Sequence, residues 1–340
     1  MLQIGRWMKA SMAAAMLVCA SQAFVHAAES SVRAETTMSV SMVHDIPESH
    51  PRIQYFNAMV ETARRQSQGK VNVVINPGGV VLPGRASLDA VRNGTVNLAW
   101  INAAHLEHID ARAGFINLPF GINDDNMLSD GDRQRVLALL NQILRKKGLV
   151  VLGMMRGADQ LFIFKDKQVR APEDLNTLKV RVAGPGIYEE IMQALGAEPV
   201  VIPIPQITEA LAQRALDGIF TSPGGWKTTA GLQLRKAVQI PGLMFINYVL
   251  VADADRFEHL SNDVRAAIQQ AARTEVTGRW TEMRRDDEQV LRDLSAQGAE
   301  IWIAPKGDKA LSRARLDPIV QKFSDRAPDT AEAFHKIIGR

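Results

Sequence analysis

Short apolar segments alternate with amphipathic segments along most of the chain. Apolar side chains recur at helical spacing over residues 51–67, 86–93, 130–146, 186–195 and 207–214. Between and after these segments, strand-like patterns cover residues 38–43, 71–75, 96–101, 149–154, 160–164, 179–182, 199–202, 218–221 and 248–252. This alternation of strands and helices predicts an α/β fold with mixed sheets.

One predicted helix is unusually long. No proline occurs from residue 262 to about residue 295, and apolar residues recur there at helical spacing. A helix of this length extends on the order of 45 Å, which is more than one small domain needs. We therefore expect it to run across two domains and to brace them.

The N-terminal segment has the features of a secretory signal peptide. Arg6 and Lys9 precede an apolar run over residues 12–20, and a small-residue pattern ends at Ala27. The apolar run is short for a stable membrane helix, and no stop-transfer segment follows it, so a membrane anchor is the less favoured alternative. We expect cleavage near Ala27 and a soluble protein in the periplasm.

Removal of this segment changes the composition in two ways. Residues 1–27 contain the only cysteine, Cys19, so the mature protein is expected to have no disulfide. They also contain two basic residues and no acidic one, so the formal net charge falls from +3 to +1. This charge excludes a nucleic-acid-binding surface of the usual basic kind, and about 310 residues remain, enough for two domains.

Residues 178–184 raise the question of what a particular arginine binds. In this strand Lys179 and Arg181 share one face, and Arg181 lies just before the turn-forming Gly184-Pro185-Gly186. A guanidinium stays charged, so an enclosed one needs an anion, whereas on an exposed face both cations would be solvated. Ligand sites in open α/β sheets lie at the carboxyl ends of strands, which favours a cleft position for Arg181.

Several short motifs occur in a characteristic order along the chain. They are residues 47–51 (PESHP), 76–79 (NPGG), Gly84, 90–95 (AVRNGT), 118–120 (LPF), 172–175 (PEDL), 178–182 (LKVRV), 195–197 (LGA), 210–211 (AL) and 216–218 (LDG). Each motif alone is weak, but their order and spacing together are specific. In these features the chain resembles the periplasmic substrate-binding subunits of tripartite ATP-independent periplasmic (TRAP) transporters.

The resemblance implies a two-lobed periplasmic-binding-protein fold with a long helix that spans both lobes. We expect lobe I to comprise residues 28–155 and about 242–275, and lobe II residues 156–241 and about 276–340, with the ligand cleft between them. The resemblance also implies that Arg181 forms a two-pronged salt bridge with a substrate carboxylate. It further implies a monomer that delivers a small organic acid to a TRAP membrane permease. Because no ATPase motif is present, the partner subunits would use an ion gradient.

The chain departs from the family pattern at three positions around this arginine. Asp159 stands where many members have a second arginine, Thr221 where many have asparagine, and Gln206 where many have glutamate. Asp159 is expected to pair with Arg181, to face a donor on the ligand, or to be solvated. Other candidate contacts, for which core packing or solvation is the alternative, are Gln160, Phe220, Trp226, Trp100 and Asn102. Whether Arg156 reaches the cleft is left open.

A carboxylate beside Arg181 would repel a second anionic group on the ligand, so the sequence favours a monocarboxylate. Its other end would be apolar, hydroxylated or cationic, which keeps a zwitterionic or amine-containing ligand as an alternative. An enzyme is disfavoured because no nucleophile motif or cofactor motif stands out. His105 and His108 have metal-like spacing but lack a third ligand. A ligand-presenting partner of a sensor kinase remains a third alternative.

Overall fold

The structure of the protein, a computed structural model, describes residues 37–77 and 84–339, with the side chains of Pro77 and of residues 306–311 excepted. The predicted signal peptide, Cys19, Gly78 and Gly79 lie outside the described residues. In the described ranges no helix is both long enough and apolar enough to cross a membrane.

The described residues form an α/β structure. Its strands are β1 (Met38–His44), β2 (Val71–Pro77), β3 (Leu98–Asn102), β4 (Leu149–Asp159), β5 (Leu161–Phe164), β6 (Lys179–Val182), β7 (Glu198–Val201), β8 (Gly218–Thr221), β9 (Lys236–Gln239), β10 (Phe245–Asp253) and β11 (Glu300–Ile303). Its α-helices are α1 (Ile53–Gln66), α2 (Arg85–Asn93), α3 (Asp130–Leu144), α4 (Ile187–Ala194), α5 (Ile207–Ala212), α6 (Pro223–Thr229), α7 (Ala254–Glu258), α8 (Asn262–Glu275), α9 (Trp280–Ala296), α10 (Lys306–Arg326) and α11 (Pro328–Ile337).

The strands form two mixed sheets. The first has the order β2-β1-β3-β10-β4, and the second has the order β11-β9-β5-β8-β6-β7. In the first sheet β1 is parallel to β3, and β10 is antiparallel to both β3 and β4. In the second sheet β6 is parallel to β7 and β8, and β5 is antiparallel to β8 and β9. The predicted α/β class with mixed sheets is confirmed.

Strand β4 is longer than its sequence pattern predicts. The expected strand ends at Met154, whereas β4 continues to Asp159 because it pairs with β10 along its whole length, with two register irregularities. Strands β9 and β11 have no counterpart among the expected strands. Both are four residues long, and they pair with each other in parallel.

The long helix expected over residues 262–295 is observed as two helices. Helix α8 ends at Glu275, Val276 leaves helical geometry with φ −122° and ψ −67°, and α9 starts at Trp280. The buried Thr277 accepts a hydrogen bond at its hydroxyl from the backbone N–H of Met154 in β4, at 3.1 Å. This tertiary contact draws the chain toward the sheet. Helix α8 packs on α1, and α9 packs on α6, so the pair still spans both halves of the fold.

A buried ion network holds the region where the chain passes from the first sheet to the second. Arg52 donates to the backbone carbonyls of Arg156 (3.0 Å) and Gly157 (2.9 Å) and to the carboxylate of Asp287 (2.8 Å). Arg156 also pairs with Asp287 and donates two hydrogen bonds to Asp124, at 2.7 and 2.9 Å. Since Asp287 lies on α9, the network ties that helix to the end of β4.

Two further contacts join the ends of the two sheets. The amide of Asn102, at the end of β3, donates to the carbonyl of Ala183, which follows β6, at 3.1 Å. Beside it, Glu107 accepts hydrogen bonds from the Asn117 side chain at 3.0 Å and from the backbone N–H of Ile187 at 3.4 Å. Burial raises the pKa of Glu107 to about 7, although both hydrogen bonds oppose this shift.

The first prediction concerns Asp287. Asp287→Ala leaves Arg52 and Arg156 buried without their shared carboxylate, and should lower the free energy of unfolding by about 3–5 kcal/mol in urea denaturation. The matched control on the same helix is Glu288→Ala, which removes an exposed pair with Arg284 and should cost less than about 1 kcal/mol. Equal costs for the two variants would contradict the importance of the network.

The second prediction concerns the pH dependence of stability. Because the folded protein holds the Glu107 proton more tightly than the unfolded chain does, this group makes stability fall as pH rises from about 5 to 8. Glu107→Gln removes the titration. The unfolding free energy of the variant relative to the parent should therefore rise by about 1–3 kcal/mol between pH 5 and pH 8. A difference that does not change with pH would show that Glu107 ionises normally.

Candidate functional site

A cavity of about 230 Å³ lies where the ends of the two sheets meet. Parallel strands β1 and β3 approach it from the first sheet, and parallel strands β6 and β7 approach it from the second. The lining residues are Asp45, Gly84, Arg85, Asn102, His105, Arg181, Ala183, Val201, Ile202, Pro203, Ile204, Pro205 and Tyr248. The position follows the general rule that ligands bind at the carboxyl ends of strands in α/β proteins.

Arg181 is a buried cation in this lining. Its side chain is on β6, only 3% of the residue is exposed, and its Nε donates to the carbonyl of Ile202 at 3.1 Å. It makes no salt bridge with any side chain in the described part of the chain. Burial lowers the pKa of Arg181 to about 10, so the guanidinium remains charged at neutral pH. A desolvated cation of this kind requires an anion for compensation.

The acidic side chain of the lining is Asp45, which sequence reasoning missed. It follows β1, and its Oδ2 accepts a hydrogen bond from the backbone N–H of Asn102 at 3.2 Å. Its Oδ1 is buried and has no hydrogen-bond partner among the described residues. Burial raises the pKa of Asp45 to about 6, and the N–H of Asn102 and the charge of Arg181 limit this rise. The strand-end rule that singles out Asn102 after β3 also applies to Asp45 after β1.

His105 and Tyr248 add polar groups to the lining without adding charge at neutral pH. Burial lowers the pKa of His105 to about 4, with further contributions from His108 and Arg181. The Nδ1 atom of His105 is buried and lacks a hydrogen-bond partner within the described ranges. Burial also raises the pKa of Tyr248 well above its ordinary value. Both side chains are therefore neutral hydrogen-bonding groups here.

Of the site residues predicted from the sequence, Arg181 and Asn102 line the cavity. Gln160 lies behind it, since its Nε2 donates to the hydroxyl of the fully buried Tyr188 at 3.3 Å. The Oε1 atom of Gln160 has no hydrogen-bond partner among the residues that the structure describes. Gln160 thus links β4 to β5 and contacts Tyr188, and it does not line the cavity.

Asp159 does not lie beside Arg181 in this cavity. Its Oδ2 accepts a hydrogen bond at 2.8 Å from the backbone N–H of Gly242, in the turn that leads into β10. Arg156 is likewise engaged elsewhere, in the ion network with Asp124 and Asp287. The carboxylate that lines the cavity with Arg181 is Asp45, which the sequence did not single out. The physical reason is the pairing of β4 with β10, which carries Asp159 to the turn after β9.

The remaining predicted contacts are packing or surface residues in this structure. Phe220 packs on Phe162 with ring centroids 4.4 Å apart. The ring of Trp100 stacks on Phe56 with centroids 5.4 Å apart, and the Nε1 of Trp226 donates to the carbonyls of Gly231 and Leu234. Thr221 is buried at the end of β8, and Gln206 is exposed before α5. Strand-end position alone does not distinguish a core aromatic residue from a ligand contact.

A second concave region of the described structure has a different lining. A wider groove of about 910 Å³ lies between α1, α3 and α8, and none of the predicted site residues lines it. No group of three or more metal-binding side chains occurs in the described ranges, so the spacing of His105 and His108 does not extend to a metal cluster there. The cavity around Arg181 therefore combines a buried cation, one carboxylate, neutral polar groups and an apolar wall, which suits binding of a small polar molecule.

The comparisons with known proteins agree on one family. The profile of the bacterial extracellular solute-binding proteins, family 7 (DctP), matches residues 42–326. The C4-dicarboxylate-binding periplasmic protein DctP of Rhodobacter capsulatus is 20% identical over 268 residues, which cover 78% of this chain and 80% of that protein.

Two solved structures show the same fold. The extracytoplasmic solute receptor DctP7 of Bordetella pertussis, which binds pyroglutamic acid, has a TM-score of 0.79 at 17% identity, over 89% of this chain and 100% of that chain. The sugar-acid-binding protein of Advenella mimigardefordensis, in complex with galactonate, has a TM-score of 0.81 at 18% identity, over 89% and 98% of the two chains. The two-lobed fold expected from the sequence is confirmed. The chain belongs to the bacterial extracellular solute-binding proteins, family 7, which are the binding subunits of TRAP transporters, and it is a receptor rather than an enzyme.

Proposed function

We propose that this receptor captures a small monocarboxylate between its two lobes and delivers it to a TRAP-type membrane permease. The observation that carries the proposal is the buried guanidinium of Arg181, which lines the cavity and has no acidic partner in the described chain. A carboxylate matches the planar fork of a guanidinium with two parallel hydrogen bonds, and each charged hydrogen bond contributes about 1.5–3 kcal/mol. The ligand would thus supply the anion that the protein lacks.

The preference for one carboxylate follows from Asp45. Arg181 is the buried cation of the lining, and the other charged side chains are Asp45 and the largely exposed Arg85. A second carboxylate on the ligand would compete with the ionised Asp45 in a small, desolvated space. Pyroglutamate and galactonate, the ligands of the two structural relatives, each carry one carboxylate. The dicarboxylate-binding relative makes succinate the natural competitor to test.

The delivery role rests on family membership and on the sequence. We keep the proposed lobes, residues 28–155 with about 242–275 and residues 156–241 with about 276–340, as the bodies that close on the ligand. The ligand binds both lobes and so favours the closed form, which would dock on the permease. Presentation of the ligand to a sensor kinase is the alternative, and uptake and signalling measured in a deletion strain distinguish the two roles.

The third prediction concerns the anchor. A thermal-shift screen of organic acids first identifies the monocarboxylate that binds this receptor most tightly. Arg181→Ala should weaken that ligand by about 2–4 kcal/mol in calorimetry, and Arg181→Lys should restore only part because it lacks the fork. The unliganded Arg181→Ala protein should be at least as stable as the parent, since it no longer buries a cation.

The matched control is Lys179→Ala, which removes an exposed cation from the same strand. This variant should bind as the parent does. If Arg181→Ala and Lys179→Ala both retain parental affinity, Arg181 is not the anchor and the proposed function fails.

The fourth prediction concerns export. The mature chain should begin near Ala28 and leave the cell on osmotic shock without detergent, because the proposed signal peptide is cleaved. N-terminal sequencing of the released protein checks this. Recovery of residues 1–27 on a membrane-bound protein would contradict it.

A further inference from the structure

The two carboxylate oxygens of Asp45 differ in their hydrogen bonding. Its Oδ2 accepts the hydrogen bond from Asn102, whereas its Oδ1 is buried without a hydrogen-bond partner among the described residues. An ionised carboxylate only accepts hydrogen bonds, so it needs a donor. A buried acceptor without a donor is costly, and native structures generally satisfy such groups with ligand or water.

The surroundings of Asp45 hold it in place. The neighbouring Asn102 donates to Asp45 through its backbone, and its side chain accepts from the N–H of Ala104 at 3.0 Å and donates to the carbonyl of Ala183 at 3.1 Å. Asp45 follows β1, Ala104 follows β3 and Ala183 follows β6, so Asn102 links the ends of three strands. A carboxylate positioned by such a rigid frame suits selection among ligands.

Arg181 and Asp45 line the same cavity but form no salt bridge with each other in the described structure. A molecule that occupies the cavity therefore meets a forked cation and a hydrogen-bond acceptor. Its carboxylate satisfies the first, and only a hydroxyl or ammonium group satisfies the second. An unsubstituted alkyl end would leave Oδ1 of Asp45 without a partner, and a second carboxylate would repel it.

We propose that Asp45 selects for a hydrogen-bond donor on the ligand, so that the acid taken by this receptor carries a hydroxyl or ammonium group in addition to one carboxylate. The inference rests on the proposed role of Arg181 as the carboxylate anchor. It names the second half of the ligand, which the family assignment leaves open.

The two donors differ in their effect on the protonation of Asp45. Its pKa is about 6 in the unliganded protein. A hydroxy acid brings a second negative charge, which raises this pKa further, so binding takes up protons and weakens as pH rises from about 6 to 8. An ammonium group favours the ionised carboxylate, so binding of an amino acid strengthens as pH rises through about 6.

The other groups around Asp45 do not follow this pattern. Arg181 stays charged, Tyr248 stays protonated, and His105 stays neutral across this range. The neighbouring His44 and His50 have pKa values lowered by burial. Arg85 is exposed, and Glu48 on the same segment is exposed and outside the lining. Glu107 titrates near pH 7 but lies outside the lining, so an Asp45 variant separates its contribution.

The test compares matched acids by calorimetry on the full mature protein. The probes are lactate, alanine and propanoate, then 4-hydroxybutanoate, 4-aminobutanoate and butanoate, with succinate as the dicarboxylate. Each set of three contains a hydroxy acid, an amino acid and an unsubstituted acid. In each set, whichever of the hydroxy acid and the amino acid binds the parent more tightly should bind about 5- to 100-fold more tightly than the unsubstituted acid. Asp45→Ala should abolish this preference without weakening the unsubstituted acid, and Asp45→Asn, which keeps the volume, should reduce it and remove the pH dependence.

The control variant is Asp159→Asn, which removes a carboxylate outside the cavity lining. Its side-chain oxygen can still accept the hydrogen bond from the N–H of Gly242, so the variant should keep the parental preference for donor-bearing acids. If Asp45→Ala and Asp45→Asn retain the preference for the donor-bearing acid while Arg181→Ala loses every acid, the Asp45 inference is wrong and the anchor stands. If the parent binds succinate or an unsubstituted acid as tightly as the donor-bearing acids, the inference is also wrong. If Arg181→Ala binds the acids as the parent does, the proposed function fails and this inference fails with it.

Discussion

Burial of the Arg181 guanidinium without an acidic partner is the constraint around which the site is organised. Transfer of a cation out of water costs several kcal/mol, and one hydrogen bond from Nε to the carbonyl of Ile202 compensates only part of that cost. Asp45 lies in the same cavity but forms no salt bridge with the guanidinium in the described structure. The proposed function has a carboxylate of the ligand supply the missing anion, so that the affinity and the specificity of binding would both depend on the Arg181 guanidinium.

The rest of the fold holds Arg181 in this buried position. In the described ranges the chain passes from one sheet to the other at Gln160, over residues 240–244, and between β10 and β11 through the break between α8 and α9. Arg52, Arg156 and Asp287 hold the first crossing against α9, so that the ends of β1, β3, β6 and β7 meet at the cavity. Because the network is buried, removal of one charged member leaves the others without compensation. The resulting loss of stability exceeds the net stabilisation that the intact network provides. None of its three members lines the cavity around Arg181.

The sequence pattern predicts most of the fold and part of the site. Period and turn signals locate the long strands and helices, and motif order indicates the family, which in turn points to Arg181. The break at Val276 is not visible in the pattern, because it depends on a hydrogen bond between Thr277 and Met154, more than a hundred positions apart. The same limit explains Asp159 and Asp45. Charge reversal along the chain points to Asp159, whereas the pairing of β4 with β10 places Asp159 at Gly242, and the carboxylate that lines the cavity is Asp45. Phe220 and Trp226 are buried in the core of the structure, and the sequence does not distinguish them from cleft residues because aromatic side chains at strand ends pack in the core as readily as they line a cleft.

We propose that one carboxylate of the ligand pairs with Arg181 inside the cavity shared with Asp45. A crystal structure of the mature protein with the acid that it retains on purification, identified by mass spectrometry, tests this directly. We expect the two carboxylate oxygens to lie within hydrogen-bond distance of the Arg181 guanidinium and a hydroxyl or ammonium group of the same molecule to lie against Oδ1 of Asp45. A ligand bound in the wider groove between α1, α3 and α8, or one in the cavity whose carboxylate turns away from Arg181, would contradict it.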